Sequence, residues 1–429
     1  MISEIFKNHF ENFKNKYSLR YENTALSYQL DQIDKHVQGL LVCGDYSKGV
    51  ARIQCKNPEC GHEYFRPFSC KKFYLCPSCT QKRAILFGEH IVNDVLLKLP
   101  HRQFVFTFPK MLRVYFSNSR LFAEIARLIN AIILDYYKSI AGKNIKTASV
   151  VVYQSYGEFI RFNPHFHALV LEGCFDEHGR FVYIPIKNTQ KMTEYFRQRI
   201  IQYFLKTKRI DKNKANNLLS WKHSGFSIDN SVMLYSNDKT ARESLAQYMA
   251  RYIVSLKKLI YEPVKGKVLF YTKYNSYFKE NLKIFSGEDF IAELVQHIPP
   301  PRMRLIRYYG LYSSRSREKW KEWKHISRHA PSGWKEANLK LEEAESEPEL
   351  DLTEEKSGTG FSNKNGSVWA RLIAKIYEVD PLVCPHCGSD MKVIAVIMDY
   401  TEVEKILKHL AKTGKSPPGY CANSAAKVS

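Results

Sequence analysis

The stretch Phe162-Asn163-Pro164-His165-Phe166-His167-Ala168-Leu169-Val170-Leu171 sets two histidines two residues apart inside an apolar run. In an extended chain side chains alternate, so His165 and His167 share one face and Phe166 takes the other. Two imidazoles side by side begin a divalent-cation site, and a hydrogen-bonded pair of sheet histidines is the plainer alternative. Cysteine supplies the second chemistry. Cys76-Pro77-Ser78-Cys79 has the tight spacing of a zinc knuckle, and Cys55 with Cys60 forms a second pair one short hairpin upstream. Four thiolates close a tetrahedral structural zinc site and replace a core that so short a segment cannot build. Cys70 and His62 are rival ligands, and Cys43 reads as a small buried residue. Cys384-Pro385-His386-Cys387-Gly388 is half of a further site, with no second pair near it in sequence; Cys421 lies far off in a polar tail, and a partner chain is one way to complete it.

Phenols and guanidinium groups add to this. Thr240 to Val254 reads as a helix, which puts Tyr248 and Tyr252, four apart, on one face; aromatic core packing is the alternative on spacing alone. Between Pro299 and Arg317, Arg302, Arg304 and Arg307 are interleaved with Tyr308 and further tyrosines, a surface suited to phosphates and stacked bases, with a solvated basic face as the equal alternative.

These groups need a frame. Arg102-Gln-Phe-Val-Phe-Thr-Phe108 alternates and stops at Pro109, as a strand should, and residues 148–156 are β-branched and apolar. Leu121, Ile125, Leu128, Ile129, Ile132 and Tyr136 mark one face of a helix from Asn118 to about Ala141. Strand, helix, strand, strand predicts a small antiparallel sheet backed by helices, an α+β arrangement with the histidines on a central strand. Residues 1–40 and 190–210 read as helical, and 224–228 as a short extended piece. The expected organisation is a helical, Cys-rich zinc-binding module over 1–95, a catalytic domain over 96–313, a charged flexible linker over 314–366, and a C-terminal helix at Val368–Tyr377 with the Cys-Pro-His-Cys knuckle over 367–429.

The 429-residue chain carries 65 Lys+Arg against 43 Asp+Glu, a net charge of +22. That balance favours a polyanionic partner, nucleic acid before anionic membrane. No apolar run is long enough to cross a bilayer, and Met1-Ile-Ser-Glu-Ile-Phe-Lys lacks the apolar core of a signal peptide, so a cytoplasmic, nucleoid-associated protein without membrane contact is expected. In a reducing compartment clustered cysteines point to metal rather than disulfides.

Taken in order, these motifs resemble the HUH single-strand endonucleases, and most closely the rolling-circle transposases of the insertion sequence ninety-one family. The likeness runs through the Cys55–Cys79 module, Arg102–Pro109, Val152-Tyr-Gln154-Ser-Tyr-Gly157, Asn163-Pro-His165-Phe-His167 with Glu172-Gly173, Gly225-Phe-Ser227, Arg251-Tyr252-Ile253, Pro299-Pro-Pro-Arg302, Ile306–Gly310 and Asp380–Gly388.

The resemblance implies an HUH-like fold and a DNA transposase that cuts and rejoins single-stranded DNA at the ends of its insertion sequence through a 5′-phosphotyrosine. Tyr252 is then the first-ranked nucleophile and Tyr248 the second. His165 and His167 hold Mg²⁺ or Mn²⁺, with Gln154 as third ligand and Asp229 or Glu172 as alternatives; the family often carries histidine where this chain has Asp229. Zn²⁺ sits in the N-terminal module, on Cys55, Cys60, Cys76 and Cys79 with Cys70 as alternative. Arg251, Lys257 and Lys258 hold the backbone phosphates, joined by Arg302, Arg304, Arg307 and Tyr308. The partners implied are single-stranded and hairpin DNA of the element ends and target DNA, and a homo-oligomer is compatible with this. Two readings compete: a replication-initiator nickase with the same centre, and a non-catalytic zinc-dependent DNA-binding protein with structural histidines.

Overall fold

The computed structural model describes residues 1–21, 30–117, 119–276, 279–345 and 383–412. The expected helix at 368–377 and Cys421 lie outside them. The chain forms two compact units, one of residues 3–33 and 84–349, the other of residues 34–83 and 350–429.

In the first unit the strand order across the main sheet is Ile306–Gly310, Ala148–Tyr156, Phe162–Leu171, His101–Thr107, and then Ser227–Asp229, with Met233–Leu234 also pairing on His101–Thr107. All pairings are antiparallel. The histidine strand is therefore central, as its apolar run requires: a strand buried on both faces cannot alternate polar with apolar. One face packs Phe104, Phe106, Val151, Tyr153, Phe166 and Ala168 against the helices Ser119–Ala141 and Gln190–Lys206 through Ile125, Ile129, Ile132, Phe196 and Ile200. The opposite face packs Val150, Val152, Leu169 and Leu171 with Ala246, Met249, Leu311, Trp320 and Ile326. Each such aliphatic or aromatic side chain contributes about 1.5–3 kcal/mol by leaving water. The architecture is α+β.

Two expectations need correction. The tyrosine helix runs only over Lys239–Met249, so Tyr248 lies in its last turn and Tyr252 beyond its end. Its start is capped by the Asp238 carboxylate, which accepts from Ala241 N. Its end is fixed by Gln154, whose Nε2 donates to Met249 O at 2.8 Å and to Tyr248 O at 3.4 Å, satisfying carbonyls that a longer helix would have used. Nor is 314–366 a linker throughout: Ser314–Glu318, Lys324–Ser327 and Ser332–Glu345 are helices, and Trp320 and Ile326 are fully buried. Three tryptophans diluted among charges hide this amphipathic character in composition.

In the second unit a three-stranded antiparallel sheet has Val50–Cys55 in its centre, between Glu63–Pro67 and Met391–Ile397. The helix Tyr400–Lys412 lays Val403, Leu407 and Leu410 on Val50 and Phe65. Here the C-terminal knuckle is not a tail of its own; it shares a sheet with the N-terminal cysteines.

Candidate metal and nucleophile site

His165 and His167 project from the central strand toward the face that carries the tyrosine helix. Their Nε2 atoms are 3.1 Å apart. His165 Nδ1 meets Asn163 O at 2.7 Å, and His167 Nδ1 meets Gln103 Nε2 at 2.8 Å. One tautomer set satisfies all three contacts: Gln103 donates to His167 Nδ1, His167 Nε2–H donates to His165 Nε2, and His165 Nδ1–H donates to the Asn163 carbonyl. Burial lowers both pKa values, His167 to about 3, and Arg251 pushes in the same direction on both, with Arg113 adding to the effect on His165. Both rings are neutral at ordinary pH, the form that ligates metal.

The pair fits a divalent cation. Two nitrogens in adjacent positions around an octahedral ion at about 2.1 Å lie about 3 Å apart, close to the observed separation. His167 would then need Nδ1–H, and turning the Gln103 amide presents its oxygen to accept that proton. Gln154 pairs directly with His165 across the strands and so shares its face, while its amide nitrogen caps the tyrosine helix. Glu172 is not available as an alternative ligand: strand alternation sends it to the other side, where its fully buried carboxylate accepts from Arg102 Nε at 2.5 Å. Asp229 pairs with Val105, itself paired with His167, so it stands two strands away, about 10 Å across the sheet, and its carboxylate accepts from Ser231. Among the described residues no carboxylate or thiol joins the two histidines in a set of three.

Tyr248 meets this pair edge-on. Its ring centroid is 6.0 Å from that of His167 with the planes at 87°, and the side chain is 43 % exposed, open to a ligand from solvent. The Arg251 guanidinium stands 4.1 Å over the Tyr248 ring, and its Nε donates to Tyr156 OH at 3.4 Å. A phenol, paired imidazoles and the charges of Arg251 and Arg113 thus converge where an anion would be drawn in. Tyr252 follows the helix end and is half-buried.

The turn that delivers the histidine strand is strained. Phe159 and Ile160 have φ of 53° and 62° and are buried. His297 holds this turn by donating Nε2–H to Ile160 O at 2.8 Å while Ser155 Oγ donates to its Nδ1 at 3.0 Å.

The remaining expected DNA contacts are scattered. Lys257, Lys258, Arg302 and Arg304 are exposed. Tyr308 pairs with Val150 and shares the histidine side of the sheet, between His90 and Arg317. Arg307 pairs with Val151 and takes the opposite side, so it is not part of the histidine cluster.

The expected four-cysteine set is divided. Cys76 and Cys79 join Cys43 and Cys70, whereas Cys55 and Cys60 join Cys384 and Cys387. Cys43 is thus a cluster member, not an ordinary small core residue; its Sγ lies 3.7 Å from that of Cys76, and those of Cys70 and Cys79 are 3.6 Å apart. A tetrahedral zinc with Zn–S near 2.3 Å spaces its sulfurs about 3.8 Å apart, so the donor set fits the ion. Sequence reasoning also passed over Gln103 and Arg113. Gln103, a buried amide within an apolar strand, was the legible signal; Arg113 had none, since only folding brings its turn near His165.

Comparison with known proteins finds two matches along the chain. Residues 5–108 match the family model described as “Transposase zinc-binding domain”, and residues 149–319 match the one described as “Putative transposase”. In both regions the chain is similar to transposases. The N-terminal match is to the zinc-binding domain of insertion sequence ninety-one transposases. The chain is 25 % identical over 301 residues, 65 % of its length and 70 % of the relative's, to the transposase for insertion sequence element IS801 of Pseudomonas savastanoi pv. phaseolicola. No solved structure matches. Among the described residues no helix is long and apolar enough to cross a membrane.

Proposed function

We propose that this transposase works as an HUH-type strand transferase, cutting single-stranded, hairpin-bearing DNA at the ends of its element and joining it to target DNA. The observation that carries the reading is the edge-on contact of Tyr248 with His167, beside two imidazole Nε2 atoms 3.1 Å apart. His165 and His167, with Gln154 as the proposed third ligand, would hold Mg²⁺ or Mn²⁺, which when bound supplies polarisation of the scissile phosphate. Tyr248 Oη attacks phosphorus, the P–O3′ bond breaks, and the chain keeps a 5′-phosphotyrosine while the 3′ end leaves as a hydroxyl. The phenol proton passes to solvent, to which Tyr248 is open. Arg251, stacked on that ring, draws the phosphate against the phenol and offsets the charge that gathers on it. Tyr252 serves the second strand, so the geometry supports the reverse of the order the resemblance implies. Zn²⁺ in the Cys43, Cys70, Cys76 and Cys79 cluster organises the DNA-binding module.

The test is a labelled single-stranded oligonucleotide from the element end, incubated with protein and Mn²⁺. A covalent adduct that survives denaturation and is absent in Tyr248→Phe supports the reading. DNA binding without any adduct favours the non-catalytic zinc-dependent alternative. A terminal hairpin in the flanking DNA separates a transposase from a replication initiator.

A further inference from the structure

The transposase zinc-binding match ends at residue 108, yet the sheet that carries its Cys55 and Cys60 contains a strand from near the far end of the chain. Met391–Ile397 pairs with Val50–Cys55 along its full length, from Val50↔Ile397 to Cys55↔Met391. Lys56 extends the pairing: its N donates to Asp390 O at 2.8 Å and its Nζ to the Asp390 carboxylate at 2.9 Å.

This register brings two matching turns face to face. Cys60-Gly61 closes one, with Gly61 at φ 58° and Cys60 N donating to Asn57 O. Cys387-Gly388 closes the other, with Gly388 at φ 73° and its N donating to Cys384 O. Both glycines hold the left-handed conformation that residues with a Cβ rarely adopt, so the two turns close in the same way. Between the turns the four sulfurs converge: Cys55 Sγ to Cys387 Sγ is 3.5 Å and Cys60 Sγ to Cys384 Sγ is 3.7 Å, with all four within 4.8 Å of one another. A disulfide needs sulfurs about 2 Å apart, whereas a tetrahedral zinc needs them about 3.8 Å apart.

We infer that Cys55, Cys60, Cys384 and Cys387 form a second structural Zn²⁺ site, a ribbon built from two halves of the chain, so that the zinc-binding domain is completed by residues 383–397. The site stands apart from the strand-transfer reading and does not depend on it. Among the described residues the end of the sheet beside the sulfurs packs little more than Ile53, Met391 and Tyr64 around the cysteines themselves, while Val50, Phe65, Val403, Leu407 and Leu410 hold its other end, so the cysteine end is where a cross-link adds most.

Metal analysis of the purified full chain tests this. Two zinc ions per chain are expected, one for each thiolate cluster, falling to one in Cys384→Ser/Cys387→Ser and in Cys43→Ser/Cys70→Ser. Because such variants can misfold, the wild type provides an independent readout: mass-mapped alkylation of native protein should spare Cys55, Cys60, Cys384 and Cys387 together and modify all four after zinc chelation. Cobalt substitution should give the absorption of a four-thiolate tetrahedral site at both positions. One zinc per chain in the wild type, two retained in Cys384→Ser/Cys387→Ser, a Cys55–Cys387 disulfide, or alkylation of Cys384 and Cys387 at the rate of free glutathione would overturn the inference.

Discussion

The sheet around the histidines and the sheet around the cysteines solve the same problem with different materials. In the first, Phe104, Phe106 and Phe166 on one face and Val152, Leu169 and Trp320 on the other give a core thick enough to fix side chains without help. In the second, three short strands and one helix rest on Val50, Phe65, Val403, Leu407 and Leu410, and thiolate clusters stand where further core would be. The difference bears on which of the proposed metals is structural and which is chemical. The cysteines have their sulfurs spaced for a closed tetrahedron, while the histidines sit in a core that holds its side chains without an ion.

The sharpest way to break that contrast is at the nucleophile. Tyr248→Phe should remove the covalent DNA adduct altogether with the fold intact, read by denaturing gel and circular dichroism; an unchanged adduct would return the first role to Tyr252. Next comes zinc. A tight zinc chelator should strip hydrogen-exchange protection from residues 50–67 and 391–412 while leaving the strands His101–Thr107 and Phe162–Leu171 protected; equal loss in both would mean that the contrast is false.

Core deletion probes the other side. Phe166→Ala should cost about 3–5 kcal/mol in denaturant unfolding of the histidine unit, with zinc content unchanged. A pH series follows from the same burial. His297 is pushed down to about 4 and His101 well below its ordinary value, both chiefly by desolvation. The unfolded chain protonates these rings near pH 6.5 and the folded one does not, so the stability they contribute is full above that pH and falls as pH drops from 6.5 toward 4. The fall for His297 is on the order of 3 kcal/mol, and thermal melts should show it, with His297→Gln flattening the slope. The smallest effect is expected at Gln103. Gln103→Leu should weaken Mn²⁺ affinity by about 10–100-fold in a calorimetric titration, since His167 loses the partner that sets its tautomer, and should leave zinc unaltered.

Much of the histidine-bearing unit could be read in advance because its signals are local. Alternation in Arg102–Phe108, the apolar run at 148–156 and the His-x-His stretch each report a strand from neighbours in sequence, and the last two also pair with each other as consecutive strands. The helix end at Met249 was not legible, because the residue that stops it, Gln154, lies on a strand 95 positions away. The ion-ligand grouping of the cysteines was illegible for the same kind of reason. Spacing identifies a Cys-x-x-Cys knuckle but says nothing about which two knuckles meet.

The sequence by itself determined that this chain is basic, that it carries two imidazoles on one face of a buried strand, and that its thiols are arranged for metal. Short-range periodicity and residue chemistry suffice for that, since each depends on a few bonds of covalent geometry. Only the tertiary structure decided that Tyr248 is the phenol set against His167, that Glu172 belongs to Arg102, that Cys43 is a cluster member, and that Cys384 and Cys387 meet Cys55 and Cys60. Those are matters of strand register and helix termination, which are fixed by long-range packing and hydrogen bonds between segments far apart in the chain.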